Sequence, residues 1–201
     1  MPASVFAMEL VAEAPSAYVG SDDIIDVDHP AIQARSAHLA GQAASPVEYA
    51  RTSYMWVRDI IRHSLDAQDS RVPITASQAL QAGVGLCFAK AHLLTALLRA
   101  GGIPTGLCYQ RLADGDGYCV HGLIAVHMEG AWHRQDPRGN KPGVDAQFDL
   151  AREQLAWPVN VELGEVDYPR VFTTAHPTVL ASLRGAGDAL VLCDGGLPTH
   201  L

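Results

Sequence analysis

The stretch from Gly83 to Pro104, GVGLCFAKAHLLTALLRAGGIP, constrains the fold of this chain more than any other. Two glycines open it, and apolar residues then recur every three or four positions between Cys87 and Leu98, which is the spacing of one helical face. Further leucines widen that stripe, so the predicted helix is apolar on most sides and belongs in the centre of a domain. A Gly-Gly pair before Pro104 ends it.

Composition and charge restrict the class of protein. The chain has 201 residues, of which 48% are hydrophobic and 18% charged, as expected for a soluble domain with a real core. Its formal net charge of −8 argues against nucleic acid or an anionic membrane as a partner. The first twenty residues lack a basic start, and no segment has the length of a transmembrane helix. We therefore expect a cytoplasmic protein, and its oligomeric state cannot be read from the sequence.

The cysteines and histidines suggest no cofactor. The four cysteines contain no CxxC pair, so neither a disulfide framework nor a zinc knuckle is indicated. Cys108 and Cys119 flank a predicted turn, where they could face each other, and we expect them to be reduced. Cys87, His92, Cys119 and His121 form an alternative set of metal ligands. We disfavour it because Cys119-x-His121 is the only close pair.

Local patterns predict helices first and an antiparallel meander after them. Ser45-Pro46 is a strong helix start, since Ser caps and Pro fits the first helical position. Period-two alternation follows the central helix, with turns at residues 114–117 and 129–130. Helices are predicted over residues 31–41, 45–65, 75–80 and 177–184, and strands over 4–12, 106–112, 118–128, 131–136 and 189–193.

Two residues of the meander form a candidate pair. If the Glu129-Gly130 turn sets the register simply, His121 and Asp136 lie directly opposite each other on neighbouring strands. An aspartate there can accept from one imidazole nitrogen and fix the tautomer. The other nitrogen is then free to take a proton from a thiol.

Cys87 begins the central helix and is the candidate thiol. The helix dipole favours a thiolate there, and the unpaired N–H groups of the first turn can stabilise an oxyanion. The alternative interpretation is that Cys87 is a small buried apolar residue without a reactive role. Lys90 lies one turn on and could favour the thiolate, but a surface lysine is the preferred interpretation. Gln81 is likewise interpreted as a surface residue.

Three segments, GVGLCFAKAHLLTALLRAGGIP, HGLIAVHM and GAWHRQDPRGN, together resemble the core of the transglutaminase-like superfamily. The resemblance covers residues 75–140, about a third of the chain. Cys87 matches the nucleophile of that family, His121 its base and Asp136 its orienting acid. The upstream PVEYARTSYMWVRDIIRHS is similar to a helix that often precedes the core in bacterial members.

The resemblance implies an α+β, papain-like fold in which the catalytic helix packs on an antiparallel sheet. It implies one domain over residues 1–201, with a core at about 45–140. The expected activity is that of a cysteine peptidase-like hydrolase or an acyltransferase acting on a protein or peptide, without cofactor or metal. Hydrolysis is favoured over cross-linking because the chain is short and has no EF-hand calcium loop. The alternative is a catalytically silent binding module on the same fold.

Overall fold

The computed structural model describes residues 8–201 and contains the predicted helices followed by an antiparallel sheet. Residues 4–7 of the strand predicted over 4–12 lie outside the described residues, and within residues 8–12 Val11 makes only an isolated bridge to Arg170. The helices are α1 Pro30–Ala40, α2 Pro46–Ile60, α3 Ser64–Ala67, α4 Ala76–Ala82, α5 Cys87–Ala100, α6 Pro177–Gly185 and α7 Ala189–Val191. The strands are β1 Arg62–His63, β2 Val84–Gly85, β3 Thr105–Asp114, β4 Gly117–Met128, β5 Ala131–Gln135 and β6 Val166–Asp167.

The helix starts are fixed by local capping, which is why the sequence predicts them. The Ser45 hydroxyl accepts the Glu48 N–H at 3.2 Å before α2. Thr75 and Gln78 form a reciprocal capping box at the start of α4. Helix α2, in contrast, ends at Ile60 and not at Leu65, because the chain becomes extended at residue 61 and pairs in parallel with β2.

The main sheet has the order β5-β4-β3-β6, and its neighbouring strands are antiparallel. Helix α5 lies against it, and the buried residues of α5 join Val120, Ile124 and Val126 of β4 in the main hydrophobic core. Leu123 and Ala125 belong instead to a second, smaller cluster with Tyr18. The expected α+β architecture, with the central helix packed on an antiparallel sheet, is confirmed.

The register between β4 and β5 differs from the prediction. Glu129 and Gly130 both have positive φ, 53° and 80°, and form a two-residue turn, so Met128 pairs with Ala131. This displaces β5 by two residues relative to the predicted alignment. Asp136 therefore lies just past the end of β5 and is not directly opposite His121.

Two other predictions are wrong. Residues 189–193, ALVLC, begin with the short helix α7, because the Asp188 side chain accepts the N–H groups of Leu190 and Val191 and caps it. A short apolar run is equally compatible with strand and helix. Cys108 and Cys119 do not face each other across the hairpin, since each pairs with a leucine of the opposite strand.

Within residues 8–201, none of the helices combines the length and the apolar character that crossing a bilayer requires. The single-domain interpretation of residues 1–201 stays a prediction.

Candidate active site

Cys87 is the first residue of α5, and the helix start around it has no cap. Its Leu86 N-cap provides no side-chain hydrogen bond, and the first intrahelical bond runs from the Lys90 N–H to the Leu86 carbonyl at 3.0 Å. The N–H groups of the three residues before Lys90 therefore have no acceptor within the helix. Cys87 is 8% exposed, and its side chain lines a cleft at the end of the sheet.

Gly122 allows the start of α5 to lie directly on β4. A Cβ atom at this position would stand 2.6 Å from Phe88 Cδ1 and 3.4 Å from Phe88 Cα. The first distance is far shorter than an ordinary carbon contact, so any side chain here would displace the Phe88 ring. Because Phe88 lies against Gly122, the residues that precede them, Cys87 and His121, are also brought beside each other.

His121 and Asp136 form a buried hydrogen-bonded pair despite the shifted register. His121 Nε2 lies 2.8 Å from Asp136 Oδ2, and the two residues are 4% and 0% exposed. Asp136 Oδ2 also accepts the Ala156 N–H at 3.1 Å, and Oδ1 accepts the Arg138 N–H at 3.0 Å. Three contacts therefore hold the carboxylate, and the Tyr54 hydroxyl donates to the main-chain carbonyl of Asp136 at 2.8 Å.

The opposite charges of His121 and Asp136 stabilise each other. Burial disfavours a charged His121, but the Asp136 carboxylate and the Cys87 side chain outweigh it and raise the pKa of His121 to about 10. Burial likewise opposes ionisation of Asp136, yet His121 and two backbone N–H groups lower the pKa of Asp136 below its usual value. The Asp136 carboxylate therefore favours the charged form of His121 once that ring has taken up a proton. Since Nε2 faces Asp136, Nδ1 is the nitrogen left for the thiol.

A cleft of about 510 Å³ surrounds the thiol and the imidazole. Its walls are largely apolar. The charged residues among them are the acidic Asp114 and Glu165 and the basic Arg138 and Lys141. Trp157 stands edge-on to His121 with ring centroids 5.0 Å apart. The full lining is His63, Leu65, Cys87, Leu112, Ala113, Asp114, Cys119, Val120, His121, Arg138, Lys141, Trp157, Pro158, Asn160, Leu163, Glu165, Cys193 and Leu197.

The family model described as transglutaminase-like superfamily matches residues 33–137, just over half of the chain. The chain belongs to the transglutaminase-like superfamily. No curated protein matches it.

Solved structures are similar to parts of this transglutaminase-like chain at low sequence identity. One, solved under the provisional name of a cysteine protease from Cytophaga hutchinsonii, has a TM-score of 0.54 and 16% identity, and the match covers 65% of this chain and 46% of that one. Another, named a TGase, has a TM-score of 0.43 and 16% identity over 74% of this chain and 42% of that one. This chain therefore matches less than half the length of either relative.

Lys90 is not the surface lysine that the sequence suggests. It is 0% exposed, and its Nζ donates to the Arg58 carbonyl at 3.1 Å and also to the Ile61 carbonyl. Burial and the nearby Arg138 lower the pKa of Lys90 to about 7. The side chain thus secures the end of α2 beside the transglutaminase-like site. Gln81, in contrast, is exposed as expected.

Among the cleft residues that the sequence does not predict are His63, Arg138 and Trp157. His63 reaches the site through the parallel pairing of β1 with β2, which leaves no local pattern in the sequence. Arg138 lies two residues after Asp136, within the motif that carries the family resemblance, and its side chain pairs with Asp66.

The alternative metal site receives no support. No group of three or more His, Cys, Asp or Glu side chains in residues 8–201 is arranged to hold a metal ion. His92 is turned away from the cleft lining, and its Nδ1 lies 2.7 Å from the Ile74 carbonyl oxygen.

Proposed function

We propose that this protein is a thiol-dependent amide hydrolase or acyl transferase in which Cys87 is the nucleophile, His121 the general base and acid, and Asp136 the orienting acid. The observation that carries the proposal is that His121 lines the same cleft as the uncapped helix start at Cys87 and bonds, at 2.8 Å, to Asp136, which is buried behind the cleft wall. A nucleophile, a base and an orienting group in one cleft are the parts that covalent acyl transfer needs.

The chemistry follows from the protonation states. Cys87 gives its thiol proton to His121 Nδ1 and its sulfur attacks the substrate carbonyl carbon, while the carbonyl π electrons move onto the oxygen. Backbone N–H groups of the first turn of α5 stabilise that oxyanion. When the C–N bond breaks, the amine leaves with a proton from His121. Neutral His121 then takes a proton from water, or from an acceptor amine, which attacks the thioester and releases Cys87. Asp136 keeps Nε2 engaged throughout.

A protein or peptide is the proposed substrate class. The relative from Cytophaga hutchinsonii carries the provisional name of a cysteine protease, which favours hydrolysis of a polypeptide. The largely apolar cleft of about 510 Å³ has room for side chains on both sides of a scissile bond. Hydrolysis is proposed over cross-linking because that relative is named as a protease, and a cytoplasmic location stays a prediction.

The test is site-resolved alkylation of the four cysteines with iodoacetamide as a function of pH. Burial raises the pKa of Cys108 and of Cys119 to about 12 and that of Cys193 to about 11, so these three thiols are internal controls that react slowly. We expect Cys87 alone to label rapidly at pH 6. The substitution His121→Ala is expected to abolish this advantage, because it removes the cation paired with the thiolate.

The same experiment addresses the alternative of a silent binding module. If Cys87 labels at pH 6 no faster than the three control thiols, in the wild type as in His121→Ala, the catalytic proposal is wrong. The fold would then serve binding alone.

A further inference from the structure

His63 belongs to the reacting cleft, although neither the sequence pattern nor the family motif points to it. The β1–β2 ladder pairs His63 with Gly85, two residues before Cys87. Its ring lines the cleft that also contains Cys87 and His121. Two segments that are distant in the sequence therefore place a second imidazole beside the nucleophile.

The His63 ring is not used to hold the fold together. His63 stands at the N-cap of α3, yet its side chain does not cap that helix. At the equivalent positions of α1 and α6, in contrast, His29 and His176 accept a helix N–H through Nδ1. The Nδ1 of His63 is enclosed and has no hydrogen-bond partner among residues 8–201.

This enclosure determines which nitrogen carries the proton. An N–H at Nδ1 would be shut away from any acceptor, a situation that folded proteins strongly avoid. The proton of the neutral ring therefore lies on Nε2, which is not enclosed. Nε2 is therefore the nitrogen available to donate a hydrogen bond, and His63 lines both the cleft of Cys87 and a neighbouring pocket that contains Lys90.

The surroundings of His63 keep its ring neutral. Burial, with the positive charge of Arg138 and the more distant charges of Lys90 and His121, outweighs the attraction of Asp66 and lowers the pKa of His63 to about 3. Asp66 is itself engaged by Arg138 and Lys141. One cleft thus contains a charged histidine, which transfers protons, and a neutral one, which can only donate or accept a hydrogen bond.

We propose that His63 is a further catalytic residue, whose Nε2–H donates to the carbonyl oxygen of the substrate as Cys87 attacks. This inference rests on the proposed function. The C–S bond forms, the carbonyl π electrons move onto the oxygen, and that oxygen accepts from His63 Nε2 and from a backbone N–H of the first turn of α5. The His63 proton stays on nitrogen, and re-formation of the C=O bond releases the contact.

Two reactions of the same thiol separate this role from others. Acylation of Cys87 by 4-nitrophenyl acetate passes through an oxyanion, whereas alkylation by iodoacetamide is a displacement that forms none. For His63→Ala we expect acylation to slow about 100-fold or more and alkylation at pH 6 to stay unchanged. His63→Gln, which retains an N–H donor, is expected to recover part of the acylation rate, and His63→Leu none. The exposed His38→Ala is the matched control.

Each other result has a definite meaning. Equal acylation rates in the wild type and in His63→Ala overturn the role of His63 and leave the proposed function intact. Loss of both reactions in His63→Ala shows a structural role and also overturns the proposal. A wild type that is alkylated slowly and never acylated overturns both proposals together.

Discussion

Substituting Gly122 with alanine tests whether the close contact between α5 and β4 sets the geometry of the site. The new methyl group would lie 2.6 Å from Phe88 Cδ1, whereas carbon atoms in contact prefer about 3.5–4.0 Å. Phe88 is 1% exposed and lies near Tyr109, with ring centroids 6.5 Å apart, so the ring has little room to turn away. The helix start must therefore move by about 1 Å relative to β4.

That displacement has two expected consequences. Overpacking of this kind lowers the free energy of unfolding by about 1–3 kcal/mol. A misplacement of about 1 Å between Cys87 and His121 slows acylation of the thiol about 100-fold. Urea unfolding followed by circular dichroism measures the first, and the rate of Cys87 acylation by 4-nitrophenyl acetate measures the second.

Gly117→Ala on the same strand is the matched control. A Cβ atom there would meet nothing closer than the Asp114 carbonyl oxygen, at 3.8 Å. This variant has the same change in unfolded-chain entropy, expected to stabilise by about 0.4–1 kcal/mol, without the clash. If Gly122→Ala proves as stable and as reactive as Gly117→Ala, the contact between Phe88 and Gly122 does not position the thiol, and the reasoning is refuted.

Three further outcomes are expected. Asp136→Asn removes the countercharge of His121, so the acylation rate of Cys87 should fall by about 10²–10⁴-fold in stopped-flow assays; an unchanged rate would rule out the orienting role. The pKa of His121 is about 10 in the folded protein and about 6.5 in the unfolded chain, so its contribution to the free energy of unfolding is complete below pH 6.5 and is lost as the pH rises through 10. Urea titrations of the wild type and of His121→Ala should therefore show a difference in unfolding free energy that shrinks over this pH range. Lys90→Met should lower the free energy of unfolding by about 1–3 kcal/mol by leaving two carbonyls unpaired. Because burial lowers the pKa of Lys90 to about 7, the wild type should gain stability as the pH rises from 7 to about 10.4, and Lys90→Met should not. Identical profiles of unfolding free energy against pH in the two proteins would contradict this account.

Features with local causes were predictable from the sequence. Ser45 and Thr75 cap their own helices, so the starts of α2 and α4 follow from a few consecutive residues. The apolar stripe after Cys87 and the period-two pattern after Pro104 likewise predict a central helix on an antiparallel sheet. The same patterns predict Cys87, His121 and Asp136 as candidates, and their catalytic roles stay predictions.

Features that depend on long-range contacts were not predictable. Asp136 lies outside the alignment that the sequence predicts, and its contacts with His121 and Ala156, 15 and 20 residues away in the chain, keep it in the site. The burial of Lys90 requires the α2 carbonyls to come to it from about thirty residues away. Residue type alone favours a surface lysine, because the free-energy cost of burying an ammonium group is large.

The hydrogen bond from the Ala156 N–H to Asp136 has a consequence for the order of events during synthesis. Its donor lies 20 residues after the carboxylate and 69 after Cys87. A chain still emerging from the ribosome can therefore contain the thiol, the imidazole and the carboxylate without the group that completes their alignment. If the proposed role of Cys87 is right, we expect its full reactivity only after the segment that contains Ala156 has docked against Asp136, which would protect a newly made polypeptide from its own thiol.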